Sequence, residues 1–193
     1  MKKFMTFLII LISCSAMKAQ SKAYLGVSIG YAMPGGESMD GIESGIDLGF
    51  LHAAYRFTEN WGAVVNLNSS GHIVENTNDE IAVGVAYLGL GPMYTLPIDD
   101  NMYMDIKPQI ALNMVGVYAD DSGAVEDITW KGSGFVLGNS LVLGTDRGFA
   151  FSLNVDYLSG KWTELEVLGQ TMDVDEENDM SQFKVGVGVR YNF

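Results

Sequence analysis

Few residues in this chain could carry covalent chemistry. The 193 residues include only two histidines, His52 and His72, and one cysteine, Cys14. His72 follows Ser69-Ser70-Gly71, a spacing that can bring a hydroxyl beside an imidazole. Such a pair serves nucleophilic hydrolysis when a third group orients the base and N–H groups hold the oxyanion. No orienting acid or oxyanion motif accompanies it, so a lipid-modifying enzyme is the weakest reading and no catalytic residue is assigned. His52 reads instead as part of a polar network.

A second constellation is acidic: Asp173, Asp175, Glu176, Glu177 and Asp179. It superficially resembles a calcium loop. It lacks the glycine at loop position six and puts Lys184 where the bidentate glutamate should stand. No metal site or cofactor is expected; divalent cations at acidic loops are expected as weak partners, beside a solvated rim as the plainer reading. The formal net charge of −13 excludes nucleic acid as a partner. A third set of polar residues is spaced singly between apolar ones: His52, Arg56, Asn66, Asp105, Lys107, Gln109, Asn113, Asp156, Lys184 and Arg190.

The elements that must position these residues are strands. In the last thirteen residues Phe183, Val185, Val187, Val189, Tyr191 and Phe193 alternate with Gln182, Lys184, Gly186, Gly188, Arg190 and Asn192. Strict period two means one apolar face and one small or wet face. In a closed membrane barrel such a strand is paired on both sides and turns its apolar face to lipid. Seven further segments alternate: 23–33, 46–57, 61–68, 81–96, 104–114, 132–143 and 149–157. Within them the expected outward rows are Leu25 to Tyr31; Leu48 and Phe50, then Leu51 to Phe57 after a slip; Ile81, Val83, Val85 and Tyr87, with a phase change at Tyr87-Leu88; and Met104 to Met114. Asn139 interrupts the apolar row of the sixth segment, and Pro108 removes a ladder donor from the fifth.

Connections alternate long and short, as in outer-membrane barrels with tight periplasmic turns and long exterior loops. The exterior loops 34–45, 69–80, 119–131 and 159–180 collect most of the 24 acids, Asp47 being counted with the first. Aromatics gather at both strand ends: Tyr55, Phe57, Trp61, Tyr94, Phe149 and Tyr191 below, and Tyr31, Tyr118, Trp130, Tyr157 and Phe183 above. Two such belts suit the membrane interfaces. A lipocalin-type barrel, apolar inside and polar outside, is the soluble alternative; it would need charges on the large-residue face of the last strand, and there are none.

Lys2 and Lys3, the apolar run Phe4–Ile12 and the exit at Ala19-Gln20 read as a secretory signal peptide over residues 1–20, leaving a barrel domain at 21–193. Leu11-Ile-Ser-Cys14 offers a lipoprotein processing box as the alternative.

Tyr55-Arg-Phe-Thr-Glu-Asn-Trp-Gly62, Tyr87-Leu-Gly-Leu-Gly-Pro-Met-Tyr94 and the terminal Val-Gly-Val-Arg-Tyr-Asn-Phe193 resemble the outer membrane protein beta-barrel (porin-like) family, similar in architecture to OmpX, the OmpA transmembrane domain and OmpW. The resemblance covers the whole of 21–193. It implies an all-β, eight-stranded antiparallel up-and-down transmembrane barrel in the cell outer membrane, with lipids including lipopolysaccharide around it. It also implies that Phe183, Val185, Val187, Val189, Tyr191 and Phe193 form the signal read by the barrel assembly machinery.

Eight strands enclose a space that side chains just fill. The expectation is a lumen plugged by His52, Arg56, Asp105, Lys107, Gln109, Asp156, Lys184 and Arg190, with a structural or surface-interaction role in membrane integrity or adhesion. A narrow channel or carrier for small or hydrophobic solutes is the alternative.

Overall fold

A strand with one apolar face needs a partner on each edge and a cover for that face, and here both are supplied by closure. The computed structural model describes residues 23–74, 82–119, 125–145, 147–167, 169–174 and 178–193; residues 1–20, with the signal-peptide expectation, lie outside these. The strands are β1 (Ala23–Gly35), β2 (Gly45–Arg56), β3 (Trp61–Ile73), β4 (Ala82–Asp99), β5 (Met102–Ala119), β6 (Val125–Gly144), β7 (Gly148–Val167), β8 (Gln170–Asp173) and β9 (Asp179–Asn192). Neighbours pair antiparallel in chain order from β1 to β7, β7 pairs β9, and β9 pairs β1, closing a ring of eight. Short β8 stands outside the ring as a hairpin partner of β7, turned at Gly169 with φ +78°.

The seam between β1 and β9 runs unbroken from Tyr24 opposite Asn192 to Gly35 opposite Ser181. Gly30 faces Gly186 across it, and a Cβ on Gly30 would meet the Val185 carbonyl oxygen at 2.5 Å. The two backbones therefore approach as only glycine permits.

The outer surface is apolar around the ring: Leu25, Val27, Ile29, Phe135, Leu137, Phe151, Leu153, Val185 and Val187 are all exposed. No helix among the described residues is long and apolar enough to cross a membrane, and this band is the surface that lipid covers. Trp61 packs edge-on against Tyr94 at 4.9 Å, and Phe149 against Tyr191 at 5.2 Å, at the end carrying the tight turns. Val187→Arg, in the middle of β9's lipid face, is expected to cost about 2–4 kcal/mol. Heat-modifiable migration after refolding checks it, and unchanged folding would reverse the assignment of inside and outside.

Several elements depart from the alternation expected of them. The slip in β2 is a bulge: the β2–β3 register shifts between Gly49 and Leu51, and Phe50 and Leu51 both face outward. In the first half of β4, up to Tyr87, the expected rows are reversed, while Leu90 and Leu96 further on face outward as expected. Val83, Val85 and Tyr87 point into the barrel, while small Ala82, Gly84 and Ala86 face out. No phase change occurs at Tyr87-Leu88. The break lies across the ladder in β5, where Asn113 takes φ +49° and the register shifts between Ala111 and Met114. Asparagine tolerates that left-handed conformation, and the extra residue turns Asn113 outward and Met114 inward to 0% exposure, opposite to the alternating expectation.

The strands of the second half are longer than expected. β6 begins at Val125, not at 132, and β7 runs on to Val167, so much of the third and fourth loops is paired sheet rising above the membrane band. Pro92 and Pro108 share one gap in the β4–β5 ladder, which passes from Leu90↔Ile110 to Tyr94↔Ile106; neither proline has an N–H to give.

Candidate functional site: the barrel interior and its exterior mouth

The inward rows build three polar tiers and an apolar cap. At the tight-turn end, Arg190 on β9 reaches across the barrel to Asp105 on β5, Nη1 to Oδ2 at 2.7 Å. Gly26 makes the room, since a Cβ there would meet the Arg190 Cβ at 2.8 Å. The guanidinium lies between two rings, 4.1 Å from the centroid of Tyr24 and 4.8 Å from that of Tyr103, and Nη2 donates to the Tyr103 hydroxyl. Thr95 donates to the other Asp105 oxygen at 2.6 Å. Arg56 lies at the edge of this tier, half-buried, with its guanidinium carbon 5.3 Å from the Tyr103 centroid.

The middle tier is a hydrogen-bonded chain across six strands. Ser28 donates to His52 Nε2 at 2.8 Å; His52 Nδ1 donates to Asn66 Oδ1 at 3.0 Å; Asn66 Nδ2 donates to Gln109 Oε1 at 2.8 Å. Gln109 donates in turn to the Lys107 carbonyl, Lys107 Nζ to Ser140 Oγ at 2.6 Å, and Ser140 to Asn154 Oδ1 at 2.6 Å. Glycine again supplies the space: a Cβ on Gly49 would lie 2.0 Å from His52 Nε2.

Above it, Lys184 bonds Asp47 at 2.7 Å with its ammonium 4.9 Å from the Tyr87 centroid. Asp47 was expected in the exterior loop; β2 starts early enough to turn it inward, where it is buried. Asp156 sits directly across the ladder from Lys184 but forms no ion pair with it, and its Oδ1 has no hydrogen-bond partner.

The Ser70–His72 pair is also in this tier. Ser70 Oγ lies 3.0 Å from His72 Nε2, and His72 Nδ1 donates to the Glu43 carbonyl oxygen at 3.0 Å. Gln182 packs onto both, donating to His72 Nε2 at 3.2 Å and accepting from Ser70 at 3.2 Å. The orienting group is a peptide carbonyl, and the hydroxyl faces a filled interior. The pair holds Gln182 in place.

The cap is apolar: Met39, Val85, Tyr87, Met114, Leu158, Trp162 and Met180 pack into one cluster. Met39 comes from a 3-10 turn, Glu37–Met39, folded into the mouth and tied by Ser38 Oγ donating to the Asp179 carbonyl oxygen at 2.9 Å. Tyr118 and Trp130, expected in the upper aromatic belt, instead line a cavity of about 90 Å³ under this turn.

The sequence-derived lumen residues His52, Asp105, Lys107, Gln109, Asp156, Lys184 and Arg190 are all buried inside the ring. Asn113 is not among them. Tyr24, Tyr87 and Tyr103 were missed because an inward tyrosine and a lipid-facing one are equally apolar in a pattern; the cations over them, Arg190 over Tyr24 and Tyr103 and Lys184 over Tyr87, stand on another strand and are not their register partners. Of the acidic exterior stretch, Asp173 is exposed on β8 opposite Glu164, and Asp179 pairs with Lys161 at 3.1 Å. Asp175, Glu176 and Glu177 lie outside the described residues. No three His, Cys, Asp or Glu side chains converge on one point among the described residues.

A ring of eight antiparallel strands, lipid-facing outside and packed within, defines a small membrane barrel of the outer-membrane kind. The chain belongs to the outer membrane protein beta-barrel domain family, matched over residues 4–193, and it is an outer-membrane protein. Its fold is similar to that of Neisserial surface protein A (NspA), at 12% identity over 91% of this chain and 100% of that one, with a TM-score of 0.57. Also similar are Ail, the attachment invasion locus protein of Yersinia pestis (15% identity, 88% and 99% covered, TM-score 0.49), and the outer membrane protein OprG from Pseudomonas aeruginosa (13%, 91% and 99%, TM-score 0.45). At these identities the likeness is one of fold. No curated protein matches the chain.

Proposed function

We propose that this protein is a plugged barrel of the outer membrane whose role is structural or surface-interacting, exported by removal of residues 1–20 and held among lipids that include lipopolysaccharide. The observation that supports a plug is the interior itself. Its buried charges among the described residues are three cations, Lys107, Lys184 and Arg190, and three carboxylates, Asp47, Asp105 and Asp156, so the interior is balanced without mobile ions. Side chains from six strands cross the middle of the lumen, and eight strands leave no width beyond what side chains fill. The paired exterior parts of β6, β7 and β8 supply a rigid acidic surface above the membrane, suited to basic partners or divalent cations.

In planar bilayers the purified barrel is expected to give no stable open conductance. A sustained, ohmic open state would overturn the plug.

The second reading, carriage of small hydrophobic solutes, has one observation in its favour, the apolar exterior mouth. Permeability to such solutes in a strain lacking the protein separates the two readings: membrane fragility with unchanged uptake supports the first, and lost uptake with an intact membrane supports the second.

A further inference from the structure

The mouth at the tight-turn end holds a larger cavity than the exterior one, about 300 Å³, between the β2–β3 and β4–β5 turns. Thr95 and Tyr103 form its base, and both hydroxyls are already engaged: Thr95 donates to Asp105, and Tyr103 accepts from Arg190 and Asn192. The side chains left to a ligand are charged. Arg56 lines the cavity half-buried and has no carboxylate within ion-pair distance among the described residues. Glu59, Asp99 and Asp100 line it too, exposed and equally without a cation among those residues. One cation and three carboxylates thus border a single space, and none neutralises another.

We propose that this vestibule binds a free basic amino acid, its carboxylate on the Arg56 guanidinium and its ammonium groups toward Glu59, Asp99 and Asp100. Charge and size select that class. A simple anion meets three carboxylates, and a simple cation meets Arg56. A molecule with one carboxylate and two ammonium groups answers both and offsets the excess negative charge. The guanidinium fork matches a carboxylate with two parallel N–H bonds. A metal ion suits the wall less well, because no three carboxylates converge on one point among the described residues. A cavity of about 150 Å³ takes benzene, and small-molecule sites begin at about 300 Å³. The vestibule therefore has room for a flexible chain the size of lysine. Its base is the Arg190 tier of the plug, so the amino acid is captured without being conducted.

The test titrates the folded barrel in non-ionic detergent micelles with L-lysine, with cadaverine, which is lysine without its carboxylate, and with hexanoate, a carboxylate without amines. With lysine, the Asn60 and Asp100 backbone amide resonances are expected to shift and saturate, while those of Val83 and Val85 at the exterior mouth stay fixed. Hexanoate should give no saturation. Arg56→Gln should weaken lysine about 3- to 10-fold and leave cadaverine bound at least as well, since a like charge has been removed. Asp99→Asn with Asp100→Asn should weaken both amines; the asparagine at 99 keeps the oxygen that accepts the Asp100 N–H. Should Arg56→Gln not refold, the Arg56 Nε–H resonance of the native barrel decides, moving with lysine and staying in place with cadaverine. Lysine shifts that do not saturate, shifts equal at Val83, an Arg56→Gln variant that weakens both amines alike or neither, or an Arg56 resonance that moves equally with both would each overturn the proposal.

Discussion

Lys184→Ala is expected to destabilise the folded barrel by about 3–5 kcal/mol, because it strips the partner from a buried carboxylate. Lys184 is only 2% exposed, and its bond to Asp47 spans from β9 to β2 across the inside of the ring. Once the ammonium is gone, Asp47 has no other cation within ion-pair distance among the described residues. The effect should be asymmetric. In Asp47→Ala, Lys184 still faces Asp156, its cross-ladder neighbour, whose Oδ1 is unpartnered in the native interior. That carboxylate can accept the displaced ammonium, so Asp47→Ala should cost less than Lys184→Ala. Replacing both by apolar residues of similar volume, Lys184→Met with Asp47→Leu, should recover most of the loss, since a buried ion pair contributes little net stability against a well-packed apolar substitute. Denaturant titration of the barrel in lipid vesicles measures all three. Equal costs for the two single variants would remove Asp156 as the alternative acceptor.

Arg190→Ala should cost a similar amount, about 3–5 kcal/mol, for related reasons. It leaves Asp105, at 0% exposure, with only the Thr95 hydroxyl as a side-chain partner among the described residues. It also removes the plane that fills the gap between the Tyr24 and Tyr103 rings. Arg190→Lys separates the two losses. It keeps the charge near Asp105 but loses the flat guanidinium that stacks on the rings and bonds Tyr103 and Asp105 at once. An intermediate loss is expected, closer to alanine than to the native residue. If lysine restored full stability to denaturant, the stacking would carry none of the stabilisation and charge alone would explain the site.

The last strand could be read from sequence because its two faces differ in kind: large apolar residues against glycine, lysine, arginine and amides. The same contrast made Asp105, Lys107 and Gln109 readable as inward. It failed in β4, where Val83, Val85 and Tyr87 oppose Ala82, Gly84 and Ala86. Both rows are apolar there, and the larger one belongs to the cap inside the mouth. Periodicity gives the period of a strand without saying which face is the interior when the interior is itself apolar. Asn113 was hidden for another reason: a single left-handed residue reverses every later assignment in its strand, and its sequence looks like any inward asparagine. Asp47 was placed in a loop because strand ends carry little signal. The pairing Lys184–Asp47 depends on register around a closed ring, which no local pattern contains.

The unbroken seam between β1 and β9 has a kinetic consequence. Every other hydrogen-bonded pair of ring strands joins neighbours in sequence, apart from the short β7–β8–β9 excursion, and can form as a local hairpin. The seam joins residues separated by nearly the whole described chain, so its loop-closure entropy is paid last. Until it closes, two strands of peptide groups stand unpaired in a medium that offers them no water. Partial rings are therefore penalised in lipid, and insertion should be a single cooperative event whose slow step is the meeting of β1 with β9. At Gly30 and Gly186, where a Cβ would meet the facing backbone at 2.5 and 2.7 Å, a bulky residue should slow that meeting more than it weakens the finished barrel.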